Sequence, residues 1–102
     1  MAEGAVLTIE DAIAVIHDRN YDARAAAEAF LARSARFEEL LPYLADDDWK
    51  VRLFVARAAA QLPGPSAPVA AELQRRLEVE EDDWVRNNLR WGVECHTKGR
   101  ER

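Results

Sequence analysis

Three acidic–arginine pairs recur along the chain. Asp18 stands six residues before Arg24, Asp46 six before Arg52 and Glu80 six before Arg86, with Ala23, Val51 and Val85 immediately preceding the arginines. Carboxylates and guanidiniums at one fixed spacing offer two kinds of chemistry. They can form a catalytic constellation, or they can pair bidentately and satisfy a half-buried guanidinium. Other chemistry-bearing side chains are sparse. His17 and His96 are the two imidazoles, and His17 falls at a helix end, where its cation meets the negative end of the dipole. Cys95 and His96 adjoin, yet no second ligand pair accompanies them for zinc. Ser34 and Ser66 read as helix caps with no base nearby in sequence. The acidic runs Asp46-Asp47-Asp48 and Glu80-Glu81-Asp82-Asp83 lack the alternating spacing of a calcium loop and read as solvated caps. No glycine-rich phosphate loop is present. The sequence therefore nominates no catalytic residue, no metal site and no cofactor.

The arginines imply a repeat. They lie 28 and 34 residues apart (52 − 24 and 86 − 52), and the longer interval contains Pro63-Gly64-Pro65-Ser66-Ala67-Pro68, the stretch densest in helix breakers. Each repeat divides into two helices. The first helices carry Ile9, Ala12, Ile13 and Ile16, then Phe37, Leu40, Leu41 and Leu44, then Val69, Leu73 and Leu77. This is the spacing of one buried helical face. The second helices carry Ala23, Ala27, Phe30 and Leu31, then Val51, Val55, Ala58, Ala59 and Leu62, then Val85, Leu89 and Val93. Six helices are predicted at about 8–17, 22–33, 36–45, 49–62, 67–79 and 84–95. Thr8 with Asp11 resembles a capping box, Asp47 or Asp48 suits the start of the fourth helix, and Ser66 that of the fifth. Pro42 falls inside the third helix and should kink it near Glu38 or Glu39.

Composition bounds the rest. A chain of 102 residues, 49% hydrophobic and 32% charged, fits one globular domain, and its alanine content with few glycines favours helix. The net charge of −5 argues against a nucleic-acid binder, which needs a basic face. No apolar run reaches the ~20 residues that span a bilayer, and no basic-then-apolar leader opens the chain. A lone cysteine, Cys95, suits a reducing compartment, so the expected place is the cytoplasm.

The second repeat, Leu40-Leu41-Pro42-Tyr43-Leu44-Ala45-Asp46 through Val51-Arg52-Leu53-Phe54-Val55-Ala56-Arg57-Ala58-Ala59, resembles the HEAT family. It is most similar to the short bacterial form named after phycobilin lyases. That motif has an apolar L-x-x-L helix, a turn with Asp, then V-R-x-x-A-A-x-A-L. Ala59 replaces its last Leu, Ala23 its Val and Glu28 its second Ala, while Arg90 and Gly92 stand at two alanine positions of the third repeat. The resemblance covers about residues 7–95. It implies an all-α, right-handed α-solenoid of three hairpins, with repeats at about 7–33, 36–62 and 67–95 in one domain over 1–96; the basic run at 97–102 reads by itself as a frayed tail. It also implies that Asp18, Arg24, Asp46, Arg52, Glu80 and Arg86 form a structural ladder between neighbouring repeats.

In such a stack the second helices line a concave surface. The positions after Val-Arg would face it, among them Leu53, Phe54 and Arg57, and then Asn87, Asn88 and Trp91. Large apolar groups there, rimmed by Arg and Asn, have the composition of an interface centre. The alternative is a rotated helix with Phe54 in the core. Tyr21, Trp49 and Trp84, which open the second helices, either cover the end of the core or face a ligand. The leading expectation is a non-catalytic adaptor that binds another protein through this face. A HEAT-like enzyme or enzyme subunit, resembling a bilin lyase or a DNA alkylation-repair protein, is the second reading. A homodimer formed through uncovered end hairpins is the third.

Overall fold

The computed structural model describes residues 8–18 and 20–98. Those residues form α1 (Ile9–Asp18), α2 (Tyr21–Ser34), α3 (Phe37–Leu40) continuing into a 3-10 turn (Leu41–Ala45), α4 (Trp49–Gln61), α5 (Ala67–Val79) and α6 (Asp83–Lys98). There is no strand among the described residues. The helix ends follow the local chemistry. Asp11 N donates to Thr8 Oγ1, Ala23 N to Asn20 Oδ1, Lys50 N to Asp48 Oδ1 and Val69 N to Ser66 Oγ. Each bond satisfies a donor that has no partner within its own helix.

Pro42 acts as its position requires. The third helix stays α-helical for four residues and then tightens to 3-10, with Pro42 in the first turn of the new segment. Glu39 Oε1 reaches back to accept from Arg36 N at 2.8 Å. At the other end of the chain, α6 runs to Lys98, three residues past the expected stop at 95. The expected frayed tail therefore begins in helix, and residues 99–102 lie outside the described residues.

The helices pair in sequence order. α1 packs on α2, the 3-10 turn on α4, and α5 on α6. α4 also packs against α1, α2 and α6, so it is the most enclosed helix. Its buried residues (Val51, Leu53, Phe54, Val55, Ala56, Ala58, Ala59 and Ala60) cover more than one face. Its many alanines allow neighbours to approach from several directions. One of the glycines explains a departure from the repeat pattern. A Cβ built on Gly92 would lie 2.7 Å from Leu73 Cδ1 and 3.5 Å from Ala60 Cβ, so alanine there would require the Leu73 side chain to shift.

Candidate functional site

The three arginines share one task. Arg24 Nε donates to Ile16 O at 2.8 Å, Arg52 Nη1 to Asp46 O at 2.8 Å, and Arg86 Nη1 to Leu77 O and Glu80 O at 3.1 Å each. Each guanidinium thus closes the turn of its own hairpin by capping carbonyls that end, or follow, the preceding helix. The six-residue spacing fits because Asp46 and Glu80 offer their carbonyls to the arginines six positions later. Their carboxylates are used elsewhere. Asp46 Oδ1 accepts from Asp48 N at 2.8 Å, and Glu80 Oε2 from Asp82 N at 3.0 Å.

Among these six residues, only one side-chain pair links residues on different elements, α4 and the turn between α5 and α6. Glu80 takes Arg52 Nε at 2.9 Å and Nη2 at 3.1 Å, with the carboxylate almost fully covered. Asp18 forms no rung. Its side chain is three-quarters exposed and lies 3.6 Å from His17 Nδ1. The pairing of Asp18 with Arg24 is therefore corrected: Arg24 takes a carbonyl of α1 instead. A different cross-link joins α2 to α4. Glu28, where the repeat pattern has alanine, is buried and accepts from Arg57 Nε and Gln61 Nε2 at 2.6 Å each. Its signal in the sequence was that departure from the pattern.

A groove lies over α4, between the starts of α2 and α6. Its volume is about 310 Å³, and it is lined by Tyr21, Leu53, Phe54, Arg57, Trp84, Asn87 and Asn88. Five of the six residues expected to bind a partner come together here. Trp91, the sixth, is 38% exposed on α6 but does not line the groove.

The expectation that Leu53 and Phe54 stand free on the surface is corrected. They are 7% and 5% exposed and belong to the core cluster, because α4 is packed on several faces at once. They form a floor rather than knobs. The knobs are Tyr21 and Trp84, 64% and 65% exposed. Tyr21 meets the Phe54 ring edge to face at a centroid distance of 6.1 Å. Compared with family models, curated proteins and solved structures, the chain matches none significantly.

The polar rim is already ordered. Arg57 is held by Glu28, Asn88 Nδ2 donates to Trp84 O at 2.9 Å, and Asn87 Oδ1 accepts from Arg90 Nη1 at 2.9 Å. A partner would meet preset groups rather than loose ones, which lowers the ordering cost of binding.

Asp48 closes the start of α4. Burial opposes its ionisation, but the Lys50 backbone N–H, the Lys50 ammonium and His17 outweigh that and hold its carboxyl below the ordinary value. His17 Nδ1 lies 3.2 Å from Asp48 Oδ2, so His17 faces the start of α4 as well as its own helix end.

The remaining sequence candidates are structural. His96 is 2% exposed, its Nε2 sits 2.9 Å from Ala59 O, and its Nδ1 lies under Gly64. Cys95 is buried, and Ser66 serves as the cap of α5. No group of three or more His, Cys, Asp or Glu that could hold a metal ion occurs among the described residues. No described helix is long and apolar enough to cross a membrane.

Proposed function

We propose that this chain is a non-catalytic adaptor, a short HEAT-like solenoid of three hairpins that binds another protein through the groove formed by its second helices. One observation carries the reading. Tyr21 and Trp84 spend large aromatic surfaces on water at the two walls of an apolar-floored groove. The core does not need them there, and exposed aromatics above a buried apolar floor are the composition of binding hot spots. Support for the stacked arrangement comes from α4, which packs on both α2 and α6, and from the Arg52–Glu80 rung between the second and third repeats. The acidic balance favours a protein over a nucleic acid as the occupant. Cys95 is buried and is the chain's one cysteine, which suits a reducing cytoplasm.

Affinity capture with the wild type, a Tyr21→Ala/Trp84→Ala double variant and a Trp91→Ala control tests the reading. The double variant should keep its helical signal and melting temperature yet lose the captured species, and Trp91→Ala should retain it. Equal capture by all three baits would remove the groove as the binding site.

A further inference from the structure

Beside the groove over α4, and sharing Trp84 with it, lies a second hollow of about 370 Å³ lined by Trp49, Asp82, Asp83 and Trp84. We infer that this hollow receives an arginine side chain of the protein segment that occupies the groove. The inference rests on the groove reading and adds the chemistry of the partner.

The two indoles stand nearly perpendicular, at 80°, with centroids 6.2 Å apart. Trp49 is 41% exposed, so both tryptophans present ring surface to solvent. Indole faces carry negative charge density and attract cations, tryptophan most strongly among the aromatic side chains. The protein itself shows the preference, because the Lys50 ammonium sits 5.8 Å from the centroid of the Trp49 ring. Carboxylates complete the pocket. Asp82 Oδ1 is engaged with Val85 N at 3.0 Å, whereas Asp83, at the first position of α6, is exposed and its carboxylate has no hydrogen bond or ion pair among the described residues. The dipole of α6 opposes a cation at this end, and the neighbouring carboxylates of Glu81, Asp82 and Asp83 act against it.

A guanidinium fits this combination better than an ammonium. Its plane stacks on an indole while its edge pairs with a carboxylate, and it is more weakly hydrated. The complementary occupant is thus a basic segment, in keeping with the net charge of −5. In an extended chain, side chains two residues apart point the same way. A segment with an apolar residue and an arginine two positions later presents both side chains to the same face, one for the Leu53 and Phe54 floor and one for the hollow that shares Trp84 with it.

The probes are a blocked leucine–alanine–arginine peptide and its twin carrying citrulline, which keeps the shape and removes the charge. Titration is followed by the indole N–H signals of Trp49, Trp84 and Trp91 and the side-chain amides of Asn87 and Asn88. The arginine peptide should shift the Trp49 and Trp84 signals saturably, leave Trp91 still, and bind about fivefold tighter than the citrulline peptide. Asp83→Asn and Trp84→Ala should each abolish that preference. Equal binding of the two peptides, or movement at Trp91 alone, would overturn the arginine pocket. If both peptides move Asn87 and Asn88 equally, the groove stands and the cationic subsite falls. If neither peptide moves any signal, the subsite falls and the groove is judged by the capture experiment.

Discussion

Arg52 and Glu80 meet in a two-bond ion pair, Nε to Oε1 at 2.9 Å and Nη2 to Oε2 at 3.1 Å, across 28 residues of chain. The same guanidinium caps Asp46 O and Asp47 O with Nη1. A single side chain therefore closes its own hairpin and ties that hairpin to the next. The guanidinium can do both because its donors fan out in a fixed plane, which a lysine ammonium cannot imitate.

Removing one partner of a covered pair leaves the other charge desolvated. Glu80→Gln should cost about 3 kcal/mol in denaturant unfolding, and Arg52→Lys should recover little of an Arg52→Ala loss. Asp18→Asn, at an exposed position without a rung, should change stability by less than about 0.5 kcal/mol. Similar losses at Asp18 and Glu80 would show that the two acids are equivalent and that no rung distinguishes them.

Much of this was legible in the sequence, because periodicity and caps are local. Helix positions, the Pro42 break and the Asp48 and Ser66 caps all follow from residues within one turn of each other. The partners of the acids were not legible. Spacing pairs Asp18 with Arg24, yet the guanidinium takes the Ile16 carbonyl, because a helix end offers unsatisfied acceptors that a residue-type pattern cannot display. Leu53 and Phe54 were misjudged for a related reason. A two-faced amphipathic reading assumes one buried side, whereas α4 is enclosed by several neighbours. The groove survived that error because its residues share a place on α4 and α6 whether they form its floor or its wall.

Asp48 makes the fold acid-sensitive in a defined direction. Its folded-state pKa lies below the ordinary 3.8, so the stability it adds is fully present above that value and is lost as pH falls through the folded pKa. Asn in its place keeps a capping oxygen but no charge. Asp48→Asn should cost a few tenths to about 1 kcal/mol at pH 6, and the gap from wild type should narrow as pH falls below 3.8 through the lowered folded-state pKa. A gap that stays constant from pH 6 to pH 2.5 would mean that the charge is not what Asp48 contributes.

Gly92 sets two known effects against each other. Alanine in a helix interior is favoured over glycine by about 1 kcal/mol. Here its Cβ would press on Leu73 Cδ1 at 2.7 Å, so the Leu73 side chain must shift within the core where it is fully buried. Overpacking of this kind costs about 1–3 kcal/mol, so Gly92→Ala should be neutral to about 2 kcal/mol destabilising. In a Leu73→Ala background the same change should turn stabilising. A gain of about 1 kcal/mol in both backgrounds would show that α5 and α6 do not approach this closely.

Phe54 and Trp84 line one groove but should respond oppositely to truncation. Phe54 is a core residue, and replacing it by alanine opens a cavity under Tyr21, an effect of about 3–5 kcal/mol on unfolding. Lost binding by Phe54→Ala would therefore say nothing about recognition. Trp84 is mostly in water and gives up its Trp49 contact when cut back, a change of about 1 kcal/mol or less. If the groove is the docking surface, Trp84→Ala should weaken a bound partner by about 2 kcal/mol or more while the melting curve barely moves. Phe54→Leu, which keeps most of the floor, should leave binding within about threefold of wild type. Loss of fold in Trp84→Ala would make that tryptophan part of the core, and the wall of the groove would no longer be free to meet a partner.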